Sequence, residues 1–531
     1  SSRSSTQAWR EPTMPLLITL RQAGRFTAAA AAIALTLTAC SSAASSPSSA
    51  PGARASASGG TYSAGLVTPT GGIDPLTATQ YGTMFAVGLA SAQLVIANSS
   101  GTIEPQLARS WTASTDKLSW TFTLRPGLKF SNGRPLSAAD VVSTFDSILG
   151  PGSQSPAKSS FTGILKSVTG AGTSVVFHLE RPYSDFPSLL TGADTWILPA
   201  GFQDANWINN PVGAGQFILD KYTPGQGITY RKNPYYWDAA AVKLAAVNLT
   251  FYSSDQSDLL AFQSGQIDQL NSVPAAVTAL GSRYRQQRSG FAKFDGLTFD
   301  TSKAPFNSVA VRQAVAWALD RAAIAQTVYA GQATAGNDFA FFPDYSMQPQ
   351  GLTTRSANPA KVKQLLGSRM ISFTITTYTD EQTYAQLIQQ ELDATGSFKV
   401  NLNVLTEAAY FANGPSSPWL SAPVTLTDWG DRLPAQLYSL IYQPGSAWNA
   451  SHYANPRLGT LVSEFEAASS AAQRQALASQ IATIEWTDVP VIIAAFQESD
   501  IYLGNAVQGN FPNGLDFSGG FDFRGITVAS S

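Results

Sequence analysis

The sequence predicts a mixed α/β protein built in several layers. Three observations carry this: a stretch whose apolar residues recur at every second position, two stretches with helical spacing, and a strand–helix–strand succession further on. In the first, Leu118, Trp120, Phe122 and Leu124 alternate with Ser119, Thr121, Thr123 and Arg125, which turns one face of a strand to a core. After Pro135, Ser137 and Asp140 resemble a capping box, and Val141, Val142, Phe145, Ile148 and Leu149 form the apolar stripe of a helix. Val311, Ala314, Val315, Ala318 and Leu319 repeat that spacing in a second helix, predicted to continue through Ile324 and Val328 to a terminal Gly331. Asn358 and Pro359 open a short helix closed by Gly367. Ile371, Phe373 and Ile375 then alternate as a strand, residues 380–395 read as a helix stopped by Gly396, and Val400, Leu402 and Val404 form another strand. That order predicts a parallel pair with a right-handed crossover. No later apolar run approaches a membrane span, since the longest, Val489 to Phe496, has the length of a buried strand.

Composition narrows the classes. The 531 residues carry 33 Lys+Arg against 35 Asp+Glu, with 13% charged and 11% aromatic residues. A charged fraction about half the usual ~25% is the opposite of a disordered or nucleic-acid-coating chain. The length predicts two or three domains, or one large discontinuous unit. A single cysteine forms no internal disulfide, and with only His178 and His452 beside it a zinc or copper site built from Cys and His is nearly excluded. No metal and no cofactor are expected.

The first 60 residues read as export signals. Arg21 and Arg25 precede the apolar stretch Phe26 to Ala39, too short for a bilayer-spanning helix and typical of a signal peptide. It ends in Leu37-Thr38-Ala39-Cys40, which looks like the bacterial lipobox, where cleavage precedes a lipidated cysteine. Residues 1–39 are therefore expected to be a signal peptide, with 1–13, upstream of Met14, a possible over-extended start. Residues 40–60 are then a lipidated Cys40 and a flexible tether of small residues. Without residues 1–39 the chain keeps 29 basic and 34 acidic groups, a net charge of about −5. No basic patch suggests nucleic acid. A diacylglyceryl group supplies the second acyl chain that stable anchoring requires. The mature chain is thus expected outside the cytoplasm, tied to the cell membrane without crossing it.

Catalytic constellations are poor. Ser114 to Lys117 and Ser155 to Lys158 match the S-x-x-K pattern of penicillin-recognising serine enzymes, but no Lys is followed by Thr-Gly or Ser-Gly, and about one such match arises by chance in a Ser-rich chain. G-x-S-x-G, H-E-x-x-H and G-x-x-x-x-G-K are absent. A secreted serine hydrolase using Ser155, or a surface module that transports nothing, stand as the alternatives to a binding receptor.

Ile103 to Trp111 (IEPQLARSW) and Trp120 to Val142 (WTFTLRPGLKFSNGRPLSAADVV) resemble a run shared by the family 5 extracellular solute-binding proteins, the oligopeptide, dipeptide and nickel receptors of ABC importers. Further blocks follow in the same order: NPVGAGQF (Asn210 to Phe217), RKNPYYW (Arg231 to Trp237), LLAFQSGQID (Leu259 to Asp268), APFNSVAVRQAVAWALDRAAI (Ala304 to Ile324) and WNASHYANPRL (Trp448 to Leu458). The blocks themselves read as scaffold. Gly213 and Gly215, for instance, permit backbone conformations that a side chain would hinder. The resemblance implies a two-lobed, type II periplasmic-binding-protein-like fold of the large cluster C form, with a hinge and an extra subdomain. Carried over block by block, lobe I comprises 61–100, 205–305 and 495–531, the extra subdomain 101–204, and lobe II 306–494. It also implies a receptor, not an enzyme, that closes its lobes on a small solute and presents it to an ABC permease. A short peptide is the favoured ligand and a monomer the expected state.

The same resemblance nominates ligand contacts. They are Thr79, Gln80 and Tyr81 after Asp74-Pro75, and Phe299, Asp300 and Thr301 before the APF block. Peptide-binding relatives hold the ligand ammonium with an aspartate in an ADY-x-x-P segment, where this chain reads Thr427-Asp428-Trp429-Gly430-Asp431-Arg432-Leu433-Pro434. Aligned on Pro434 the aspartate position falls on Gly430; aligned on Trp429 the segment resembles a W-x-x-R variant that directs Arg432 inward. Asp431 and Arg432 then either meet charged ends of a ligand or pair locally on a solvated loop. Trp429 and Trp448 either line a stacking pocket or belong to the core, and Asn449 is a candidate for hydrogen bonds to a ligand backbone. His452 suggests nickel, but a histidine at this place also occurs in peptide binders.

Overall fold

The computed structural model describes residues 59–529 apart from 70–71, 99–100, 203, 272–279, 281–283, 413, 447 and 512–520. The expected signal peptide, Cys40 and nearly all of the tether lie outside the described residues. One 11-stranded sheet organises the chain. In chain order its strands are β1 (Thr61–Val67), β2 (Phe217–Thr223), β3 (Gly227–Lys232), β4 (Ala246–Tyr252), β5 (Gln269–Asn271), β6 (Arg285–Phe299), β7 (Ala333–Ala335), β8 (Ile371–Tyr378), β9 (Phe398–Leu405), β10 (Val424–Gly430) and β11 (Val491–Leu503). Across the sheet they run β9-β8-β10-β6-β11-β5-β1-β4-β3-β2, with β7 paired to β11.

The two longest strands, β6 with 15 residues and β11 with 13, lie antiparallel in the middle and link two lobes. Their ladder is interrupted by register shifts between Arg288 and Phe291, Phe291 and Lys293, and Phe294 and Gly296, and Gly290 has φ +100°. Bulges of this kind bend and twist a strand. On one side of this crossing the core gathers Tyr62, Phe85, Phe217, Tyr230, Val247, Ile501 and Phe523. On the other, one face of the sheet packs Leu297, Phe299, Val315, Ile375 and Ile388, and the opposite face Phe294, Trp429, Tyr438, Phe465 and Phe496. Phe294, Leu297 and Phe299, assigned by sequence to lobe I up to residue 305, therefore line the cores of lobe II. The crossing falls within β6, because that strand pairs β10 of lobe II from Lys293 onward.

A separate core, including Phe122, Phe130, Phe145, Phe161 and Phe177, belongs to the extra subdomain, and draws in Leu76, Leu94, Val95 and Ala214 from its flanks. Here Ser119–Leu124 forms a strand whose Trp120, Phe122 and Leu124 are buried, in a four-stranded antiparallel sheet. The helix Ala138–Leu149 follows, with the Asp140 carboxylate accepting from the Ser137 amide at 2.8 Å.

Two local expectations meet different outcomes. The strand–helix–strand unit is as read: helix Gln382–Ala394 connects β8 to β9, which pair in parallel from Ile371↔Phe398 to Tyr378↔Leu405. The second predicted helix is not continuous. It breaks into Val309–Ala318 and Arg321–Val328, because Leu319 is extended and the Asp320 carboxylate caps the new helix by accepting from the amides of Ala322 (3.1 Å) and Ala323 (3.0 Å). Its end is as predicted, Gly331 taking φ +81° and donating to the Ala325 carbonyl at 3.0 Å.

Candidate functional site

Ligands of open α/β sheets gather beyond the carboxyl ends of the strands. In lobe II, β8, β9 and β10 run parallel and deliver Tyr378 and Glu381, Glu407, and Asp428 to Arg432 to one edge. In lobe I, β1 leads through Asp74 to Gln80 at the start of helix Tyr81–Ala90. The two edges face each other, since Gln80 Nε2 donates to Glu407 Oε1 at 3.2 Å. At the other end of the same edge Gln436 Nε2 donates to the subdomain's Ser188 carbonyl (2.9 Å) and Thr191 hydroxyl (3.0 Å).

Between these crossings runs an aromatic chain. Tyr378 stacks on Tyr410 with centroids 5.3 Å apart, Phe411 lies 5.2 Å from Tyr378 and 5.8 Å from Trp419, and Trp419, Trp429 and Trp448 lie about 6 Å from one another. The Arg432 guanidinium sits 5.5 Å from the Trp448 ring centre and donates to the Gly430 carbonyl at 3.2 Å. Burial lowers the basicity of Arg432, and the carboxylates of Asp194, Asp431 and Asp428 work against that. Asp194 belongs to the subdomain, so Arg432 feels charge from across the lobes.

Beneath the aromatics lies a charged cluster. Lys293 Nζ meets Asp295 at 2.9 Å and Glu381 at 2.8 Å, Tyr329 bonds Asp295, and the Tyr378 hydroxyl donates to Asp428 at 2.8 Å. Asp295 and Asp428 face each other across the β6–β10 ladder. Burial, then the charge of Asp295, push the Glu381 carboxyl up to about 8 despite the Lys293 ammonium. Burial works against the Lys293 charge, yet the carboxylates around it hold its basicity well above normal.

The nominated residues separate into groups. Trp429, Asp431, Arg432 and Trp448 come together on lobe II. Gln80 meets that lobe through Glu407, while Thr79 is exposed and Tyr81 stacks on Phe85 at 5.9 Å and meets Phe521 edge-on at 5.9 Å. Phe299 is fully buried and stacks on Phe306 at 4.7 Å, so its side chain is core, because it falls on the inward face of β6. Asp300 is 2% exposed and pairs with Lys303 at 2.7 Å and His452 Nδ1 at 3.4 Å. Burial opposes its ionisation, but Lys303, Ser302 and His452 together hold its carboxyl below the usual value. Thr301 donates from its amide (2.9 Å) and hydroxyl (3.1 Å) to the Ser451 carbonyl. Asn449 holds its own loop, donating to the Gln443 (3.2 Å) and Tyr453 (3.0 Å) carbonyls and accepting from Ser451 at 2.7 Å. In the Ser155–Lys158 motif, Lys158 Nζ donates to the Gly150 carbonyl at 2.8 Å.

Sequence reasoning missed Trp419, Glu381, Glu407, Lys293 and Asp194. A signal existed for one of them: Lys293 and Asp295 stand two apart within an apolar strand pattern, which places two charges on one face of a strand. The others reach the site only through the fold.

The family description "Bacterial extracellular solute-binding proteins, family 5 Middle" matches residues 102–451. The chain is 30% identical over 297 residues to the nickel-binding periplasmic protein of Escherichia coli (strain K12), covering 53% of this chain and 56% of that protein, and so spans little more than half of that relative's length. It is 25% identical over 451 residues to the dipeptide-binding protein DppE of Bacillus subtilis (strain 168), covering 76% and 80% of the two chains. Its fold is similar to that of the periplasmic binding protein DppA from Helicobacter pylori in complex with peptide STSA, with a TM-score of 0.79, 23% identity, and coverage of 89% of this chain and 98% of that one.

Proposed function

This chain belongs to the bacterial extracellular solute-binding proteins of family 5, receptors that serve ABC importers, and we propose that it captures a short peptide between its lobes and hands it intact to a permease. The observation that carries this reading is the lobe II edge, bounded by the Gln80–Glu407 and Gln436–Thr191 bonds, with tryptophans, Arg432 and carboxylates between them. Trp448 and Trp419, half-buried against the buried Trp429, offer flat apolar surface to a side chain. Arg432 and the neighbouring Asp428 and Asp431 supply charges of both signs for the ends of a zwitterion. Gln80, with Thr79 and Tyr81 beside it, closes the site from lobe I, and Asp300 and Thr301 with His452 brace the loop that carries Trp448. A ligand touching both lobes binds the closed form better than the open one, so it shifts the equilibrium towards closure, and a permease can read the closed shape. No bond is made or broken.

Thermal unfolding in the presence of di- to hexapeptide pools tests the ligand class. A peptide at about 100 times its Kd adds ~2.7 kcal/mol to stability. If no pool raises the melting temperature, the peptide assignment is lost while the receptor class stands. The lipobox supports a second element of the proposal, a lipid anchor on Cys40 that keeps the receptor at the outer face of the cell membrane. Cys40→Ser is expected to move the protein from the membrane fraction to the soluble one; a variant still sedimenting with membranes would remove the anchor from the proposal.

A further inference from the structure

The extra subdomain is inserted in lobe I, and packing fixes it there. The Gln93 side chain, 1% exposed, donates to the Thr191 carbonyl at 2.8 Å, and the Ile197 amide donates to the Ala92 carbonyl at 2.9 Å. The subdomain core shares Leu94, Val95 and Ala214 with the strands and loops that enter and leave it. When the lobes turn about β6 and β11, the subdomain therefore travels with lobe I. It nevertheless makes a second set of contacts, to the helices of lobe II. Asp185 Oδ2 meets Arg474 Nη2 at 2.8 Å, Arg181 Nη2 meets Glu466 Oε2 at 2.6 Å, and the Ser184 hydroxyl donates to the Ala467 carbonyl at 2.6 Å. Ser439 bonds Ser160 at 3.1 Å, alongside the Gln436 bonds to Ser188 and Thr191.

Both sides of this contact are also held from within their own bodies. On the subdomain, the Tyr183 carbonyl accepts from Trp120 Nε1 at 2.9 Å, and the Tyr183 ring meets Phe186 edge-on at 6.3 Å, which fixes the loop from Arg181 to Asp185. On lobe II, the Arg474 guanidinium lies 4.7 Å from the Phe465 ring centre. Glu466, at the end of helix Pro456–Ala467, is 1% exposed in the closed arrangement and keeps the Arg181 guanidinium as counter-charge. Prepositioned partners lose little entropy on meeting, and ion pairs half-removed from water are worth more than exposed ones.

We propose that Arg181, Ser184 and Asp185 of the subdomain, with Glu466, Ala467 and Arg474 of lobe II, form a latch that holds the lobes closed from outside the ligand site. These are positioning residues: they set how much of the ligand-free protein is already closed, and hence the apparent affinity for whatever ligand the cleft accepts. The latch needs no particular ligand, so its test is independent of the peptide proposal.

Small-angle scattering on the full-length, ligand-free protein measures the opening. Arg474→Asp, which sets two carboxylates against each other, is expected to increase the radius of gyration, and the exchange Arg474→Asp with Asp185→Arg is expected to restore it. Ser184→Ala, which removes the hydroxyl's bond to the Ala467 carbonyl without altering charge, must shift the radius in the same direction. Melting curves taken alongside identify any variant that has lost its fold, in which case the other variant decides. Radii equal to that of the parent in the folded variants, or an increase that the charge exchange fails to reverse, would overturn the latch.

Discussion

Buried acids are the residues whose chemistry departs furthest from their exposed behaviour. Glu485 is fully buried in the second face of lobe II, with the Ala340 amide and the Tyr438 hydroxyl each 3.4 Å from its Oε2. Burial pushes its carboxyl up to about 8, against the hydrogen bonds, and Glu381 is pushed to about 8 as well. An unfolded chain releases these protons near 4.5, the ordinary value for the side chain. Between pH 4.5 and 8 the folded form therefore binds more protons than the unfolded one, and stability falls as pH rises, by at most about 1.4 kcal/mol per group per pH unit. The contribution is complete below the lower limit and gone above the upper. Asp300, held below its usual value, acts in the opposite sense but only in more acid solution. The urea midpoint is expected to be higher at pH 5.5 than at pH 8, and Glu485→Gln is expected to shrink that difference. A midpoint that rises towards pH 8 would contradict this account.

Elements meet here at closer range than their sequences announce. Gly213 and Gly215 keep negative or extended φ and are needed for a different reason: the loop carrying them crosses the end of helix Tyr81–Ala90. A Cβ on Gly215 would stand 2.4 Å from the Ala90 carbonyl carbon and from the Ser91 amide nitrogen, and the Gly215 amide donates to the Ala90 carbonyl at 2.9 Å. Gly215→Ala is expected to cost ~1–3 kcal/mol in chemical denaturation, whereas Gly152→Ala, in open space, has no contact to disturb. Equal midpoints for the two variants would show that the crossing tolerates a methyl group. The broken helix at Leu319 belongs to the same scale. Its apolar stripe is continuous in sequence, but Asp320 supplies an alternative hydrogen-bond partner for two amides, and local capping outcompetes propagation.

At the scale of the whole molecule, the two lobes share one sheet, and β6 and β11 with their bulged ladder join them at its middle. A sheet continuous across two bodies resists sliding but can twist where its register slips. The subdomain widens the contact with lobe II through the Asp185–Arg474 and Arg181–Glu466 pairs. None of the helices among the described residues is long and apolar enough to cross a membrane.

Periodicity by itself determined the elements of this protein wherever one face of a strand or helix meets a core. The strand at Trp120 to Leu124, the helix after Ser137 and the parallel pair β8–β9 were readable because burial imposes a period of two or of 3.6 on neighbouring residues. The motif blocks carried the resemblance to the family. Only the tertiary structure decided which nominated residues come together. Trp429 and Arg432 lie near Trp419, 10 residues away from Trp429 in the chain, and near Asp194, which lies in a different domain. Phe299 is core, and Asn449 is committed to its own loop. Contacts between residues hundreds of positions apart leave no local pattern, because what selects them is the space left when separately packed lobes close.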